Sequence, residues 1–213
     1  VFFCMGGTGK LVDELGALME RHGINIVFNA DVDEIILANK KATGVRLSDN
    51  KTIDADLVVF GGDPETCYQY LLPKRKFSLP TSIKKQYSMG LYVLYFGTKK
   101  LYPDVAHHSI WMGPRFEELL SEIFDNKQMS EDFSLYVHRP TATDKSFAPE
   151  GCESFYVLCP VPNLQGNVDW STEAERLSDR IITALEETIL PELSVVIEEV
   201  FWMTPEDFAK DYR

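Results

Sequence analysis

The sequence has 213 residues, 45% hydrophobic and 25% charged, which is enough chain for a full core in one or two domains. A formal charge of -12 and a pI near 4.8 exclude nucleic acid as a partner, since that needs clustered Lys and Arg. They also exclude a purely electrostatic hold on an anionic bilayer, while apolar membrane contact stays open.

In chain order, Thr8 is placed to cap a helix over residues 9–22, with Gly23 just past its end. Leu11, Leu15, Leu18 and Met19 share one face of that helix. Residues 24–28 read as a short apolar strand, and 30–37 alternate around Val32 and Ile35. Asn39-Lys40 and Asp49-Asn50 are turn signals that bound a strand near 42–47. Residues 53–60 form a further strand, broken by Gly61-Gly62-Asp63-Pro64, and a short helix follows to about Leu72. The basic, irregular stretch 73–82 is the expected domain crossing.

The run 88–98 is the most strand-like in the chain. Its odd set is Met89, Leu91, Val93 and Tyr95, and its even set is Gly90, Tyr92, Leu94 and Phe96. Both sets are apolar, so the strand should be covered on both sides. Further strands are predicted over 107–112, 133–138, 154–160 and 195–203. A helix opened by Pro114 carries Phe116, Leu119, Leu120 and Ile123. A second helix, opened by the capping box Thr172-x-x-Glu175, buries Ala174, Leu177, Ile181 and Leu185. The pattern predicts an α+β (α/β) protein with two parts. Residues 1–72 form part of a nucleotide-binding domain, and 73–213 a mixed or antiparallel sheet covered by helices on one face. The opening Val1-Phe2-Phe3 and the ending Asp211-Tyr212-Arg213, within a helical pattern, suggest an internal piece of a longer protein.

Gly7-Thr8-Gly9 between a strand and a helix, with Asp31 downstream, has the layout of a dinucleotide fold. Val12 at the third glycine position is a steric objection to a self-contained site. Lys10 is followed by Leu11, so a Walker A loop is excluded. His107-His108 and His138 are not expected to hold a metal, because neighbours on a strand point to opposite faces. Cys4, Cys67, Cys152 and Cys159 form no C-x-x-C pair and are expected to be reduced and buried, as in a cytoplasmic protein. Aromatics are dense after Tyr87: Tyr92, Tyr95, Phe96, Trp111, Tyr136, Phe155, Tyr156 and Trp170. They serve a packed core or the wall of a long apolar pocket.

Gly6-Gly7-Thr8-Gly9 with Leu11-Val12, Asn29-Ala30-Asp31-Val32 and Leu94-Tyr95-Phe96-Gly97 resemble the bacterial phytoene desaturase family. So do His107-His108, Gly113-Pro114-Arg115, the run Glu131 to Tyr136, Ala148-Pro149-Glu150-Gly151-Cys152 and Pro160-Val161-Pro162. The resemblance implies an FAD-dependent carotenoid desaturase of the amine-oxidase-like flavoproteins. This sequence corresponds to its middle: the second segment of the FAD domain, then most of the substrate domain. It implies that the Val32 backbone meets the adenine and that Gly61-Gly62 approaches the ADP half of the cofactor. The family's acid–base residues lie upstream, so no catalytic residue is assigned here. Leu91, Tyr92, Val93 and Tyr95 are the expected pocket for a long apolar polyene, and the whole protein is expected to touch a membrane peripherally. The isolated chain is expected to hold no flavin. Readings left open are another flavin oxidase, a carotenoid isomerase, or a non-catalytic prenyl-lipid escort.

Overall fold

The computed structural model describes residues 2–73 and 87–212. They fall into two compact units: residues 13–73, and residues up to 12 together with those from 87 onward. The first dozen residues therefore group with the later sheet and not with the nucleotide-binding segment expected over 1–72. The reason is local packing. The Gly6 N–H donates to Asp144 Oδ2 at 2.8 Å, and the Phe3 ring meets His107 and Phe147 at 4.6 and 5.8 Å.

Helix α1 (Gly7–Arg21) starts inside a turn closed by the Gly7 N–H and the Cys4 carbonyl, 2.8 Å apart. Thr8 thus lies within the first turn and is not its cap. Leu11, Leu15, Leu18 and Met19 are at least 42% exposed, so the stripe read from the sequence is real but uncovered.

In the smaller unit, β1 (Val32–Ala38), β2 (Lys41–Leu47) and β3 (Thr52–Asp54) form an antiparallel sheet in that order. Asn39 and Lys40 both adopt positive φ, 50° and 66°, the two-residue hairpin whose twist matches its strands. At Gly44 a Cβ would sit 2.3 Å from the Ile53 carbonyl oxygen, so only glycine lets β2 and β3 approach. Two expected strands are missing or short. Residues 24–28 are not in a ladder, and β3 stops at Asp54 instead of running to 60. A strand persists only where its N–H and C=O groups continue a ladder. The Ile24 N–H turns back to the Met19 carbonyl and the Ala55 N–H donates to the Thr43 carbonyl, but among the described residues no ladder runs on from them, and Phe28, Leu57 and Val59 are exposed. Helix α2 (Pro64–Thr66) is capped by the Asp63 side chain, which accepts from the Glu65 and Thr66 N–H groups. It runs on into a single π turn, Cys67–Leu71. The basic crossing lies outside the described residues beyond Pro73.

The larger unit is built on a five-stranded antiparallel sheet. Its strands are β4 (Gly90–Thr98), β5 (His108–Trp111), β6 (Leu135–His138), β7 (Glu153–Val161) and β8 (Ile197–Met203), in spatial order β5-β6-β7-β4-β8. The helices are α3 (Phe116–Ser121), α4 (Trp170–Glu186), α5 (Leu193–Val196) and α6 (Pro205–Tyr212). One sheet face is sealed by α4, whose Ala174, Leu177, Ile181 and Leu185 are buried against Tyr92, Leu94, Phe96, Phe155 and Val157. Of the four cysteines only Cys159 is buried, and burial pushes its thiol up to about 12. Cys4 is exposed and the other two are half-buried, against the expectation for all four.

The start of α4 also corrects the sequence. Its cap is Asp169, whose carboxylate accepts from the Ser171 N–H at 3.1 Å, and Thr172 lies inside the first turn. Burying Trp170 against Tyr92, ring centroids 6.2 Å apart, draws the helix start upstream of the capping box. Asp169→Ala is expected to lower the urea midpoint, whereas Thr172→Ala leaves it nearly unchanged. The Ser171 hydroxyl and N–H hold the Asp169 carboxyl below its ordinary 3.8. Its contribution is therefore complete above that pH and fades as pH falls through the lowered value.

Candidate functional site

Alternation along β4 separates two sets of side chains. Tyr92, Leu94 and Phe96 enter the α4-covered core. The Tyr92 hydroxyl donates to the Ala174 carbonyl at 2.8 Å, and burial pushes the phenol far above its usual range. Tyr92 is thus a core residue, not a wall of the pocket expected for it. Leu91, Val93 and Tyr95 point to the opposite face.

The register continues that second face across all five strands. His108, His138, Tyr156, Tyr95 and Phe201 are successive partners in one row. Ile110, Tyr136, Leu158, Val93 and Met203 form the next row, and Leu91 is paired with Pro160 in a third. Tyr95 stacks on Phe201 with centroids 4.7 Å apart and planes 11° from parallel. Burial, followed by the hydrogen bond to Tyr136, pushes the Tyr156 phenol up to about 12. Ring carbons and neutral hydroxyls therefore dominate the row, apart from its His end. At the other end of the sheet an apolar groove of about 490 Å³ is lined by Tyr87, Met89, Leu91, Leu164, Pro205 and Phe208. Leu91 thus belongs both to the aromatic face and to the groove.

Sequence reading named Tyr136 and Tyr156 among the aromatics of a core or a pocket wall without placing them on this face, and it missed Phe201. The alternation within each strand was visible, but which residues stand opposite one another depends on register. The His end overturns an argument as well. His107 precedes β5 and is not bound by strand alternation, so its ring lies 4.3 Å from that of His108 and 4.7 Å from that of His138. Burial first, then the charges of the other two rings, lowers His138 to about 4. Burial likewise lowers His107.

In the smaller unit Val32 opens β1 opposite Leu47. Gly61 and Gly62 form an exposed turn just before the Asp63 cap. A Cβ on Gly61 would meet nothing within 4 Å, and one on Gly62 would strike the Phe60 ring at 2.5 Å. Neither glycine has positive φ. The Gly61 backbone is thus open to close approach by a ligand, which glycine favours by carrying no side chain.

No protein-family model matches the chain. A lycopene-forming phytoene desaturase from Paracoccus sp. is 43% identical over 215 residues, covering 99% of this chain and 43% of that protein. A neurosporene-forming phytoene desaturase from Rhodobacter capsulatus is 40% identical over 221 residues, covering 100% of this chain and 42% of that protein. The chain thus spans about two-fifths of the length of the curated relatives it matches. Among solved structures, an oxidoreductase from Methanosarcina mazei shares the fold, with a TM-score of 0.66 and 17% identity over 94% of this chain and 42% of that one.

Proposed function

The chain belongs to the carotenoid desaturase family from end to end, and on that premise we propose that it forms the polyene-facing part of an FAD-dependent phytoene desaturase. One observation carries this reading: the second face of the five-stranded sheet is a continuous, half-buried surface of rings and aliphatic side chains that ends in an apolar groove. A long hydrocarbon has no polar handle, so it is held by apolar area and shape. Leu91, Val93, Tyr95, Tyr156 and Phe201 supply that area and orient the chain. Tyr92 and Trp170 hold the sheet rigid from behind.

FAD, when bound, would supply the oxidising chemistry as the acceptor for the hydride, each new double bond releasing one hydride and one proton. The residues present fit it in two places. The Val32 backbone at the start of β1 would meet the adenine, and the open turn at Gly61-Gly62 would approach the ADP half. The remaining anchors belong to a polypeptide as long as the relatives. This chain carries a charge of -12, which disfavours an electrostatic hold on an anionic bilayer, so the whole protein would take its substrate through apolar, peripheral contact. No described helix is long and apolar enough to cross one.

Turnover is the test. A full-length polypeptide carrying this chain, loaded with FAD and given phytoene in lipid vesicles, is expected to yield a product with more conjugated double bonds, seen as new visible absorption. A flavin-loaded preparation that leaves phytoene unchanged would overturn the reading. In the same polypeptide, Gly61→Val is expected to lower flavin occupancy while Val32→Ile leaves it unchanged, read from flavin absorbance per protein.

A further inference from the structure

Three of the four histidines come together at one edge of the sheet. His107 lies just before β5, His108 opens β5, and His138 ends β6 in register with His108. One nitrogen of each lies within 4.8 Å of the others. His107 Nδ1 is 2.5 Å from Thr143 Oγ1, and His108 Nδ1 is 2.7 Å from the Tyr136 hydroxyl. With those two Nδ1 atoms protonated and donating, each Nε2 carries a lone pair. His107 Nε2 then faces His138 Nε2 at 2.7 Å. That distance is met either by an N–H of His138 donating to the His107 lone pair or by a cation that takes a lone pair from each ring. His138 Nδ1 is buried with no hydrogen-bond partner. Phe3 packs on both rings, at 4.6 and 6.2 Å. The neighbouring cation, Arg139, is turned away into its pair with Glu153 at 3.2 Å.

The geometry points to a three-histidine binding site for a first-row divalent cation, Zn(II) being the probe of choice, formed by His107, His108 and His138. Neutral imidazole suits Zn(II), and three histidines with an open fourth position are an established coordination type for it. Thr143 and Tyr136 act as partners of the ligands, fixing which nitrogen of His107 and His108 faces the ion. A tetrahedral ion with nitrogens at about 2.0–2.1 Å holds them roughly 3.3 Å apart. A small ring rotation therefore opens the 2.7 Å pair to admit it. The exposed side of His108 leaves the fourth position to water. The site lies where β5 and β6 meet and would clamp their ends together. It goes beyond the desaturase reading and does not rest on it.

The experiment uses the 213-residue chain, stripped of metal, titrated with Zn(II) against a chromophoric chelator and with Co(II) by visible absorption. One equivalent per chain is expected, with the intense bands of four-coordinate cobalt. His138→Ala should weaken binding by about 100-fold or more, and Tyr136→Phe, which keeps all three ligands, by about 10-fold. His22→Ala, at the end of α1, should leave it unchanged. Circular dichroism checks folding. If His138→Ala does not fold, Tyr136→Phe against His22→Ala decides. Absence of stoichiometric binding, equal affinity in the wild type and His138→Ala or, where that variant does not fold, in the wild type and Tyr136→Phe, or equal losses in Tyr136→Phe and His22→Ala would each overturn the site. None of these outcomes bears on polyene turnover.

Discussion

Leu91→Glu, placed in the full-length polypeptide, is expected to abolish polyene turnover while flavin absorbance and the unfolding midpoint stay close to wild type. Leu91 sits on the second face of β4 and in the apolar groove. With that face free the carboxylate is wetted, and the sheet tolerates it. When a hydrocarbon chain fills the groove, the carboxylate loses water and gains no hydrogen-bond partner, a cost of several kcal/mol. About 2.7 kcal/mol already means roughly 100-fold in rate, so the loss should exceed that. Tyr92→Phe is the matched control one residue away. It loses the hydroxyl bonded to the Ala174 carbonyl, and should keep its turnover while giving up about 1 kcal/mol of stability. Measuring both variants by product absorption separates the two faces of one strand. Turnover by Leu91→Glu within about threefold of wild type would remove the groove from the substrate path.

Glu153→Leu is expected to destabilise the larger unit by about 3–5 kcal/mol, because it strands a buried guanidinium. Glu153 and Arg139 are both under 8% exposed and lie 3.2 Å apart. Glu153 also accepts the Tyr102 N–H at 3.2 Å, and Arg139 donates to the Tyr102 carbonyl. The pair thus ties the loop after β4 to the starts of β7 and of the turn after β6. Replacing both together, Arg139→Met with Glu153→Leu, should recover much of the loss, since a buried ion pair is worth little over apolar groups of similar size. Urea denaturation of the two single variants and the double variant closes the cycle. A double variant no more stable than Glu153→Leu would show that the Tyr102 contacts, and not the unpaired charge, dominate.

The amphipathic stripe of α4, the hairpin at Asn39-Lys40 and the two-sided apolarity of β4 were all legible from residue order. Each depends on contacts or backbone preferences within a few residues, which the chain carries wherever it folds. The family was legible for a related reason, since its motifs recur in order along the whole length. Other features needed partners distant in sequence. Residues 24–28 and 55–60 have strand composition but no ladder among the described residues. The start of α4 moved upstream because Trp170 found Tyr92, 78 positions earlier. The aromatic row and the histidine cluster exist only through the register of β5, β6, β7, β4 and β8. Composition and period decided that a mixed or antiparallel sheet with one helix-covered face would form. Tertiary pairing alone decided which side chains stand together on the other face, because register is set by the packing of the whole sheet and a shift of one residue turns every side chain over.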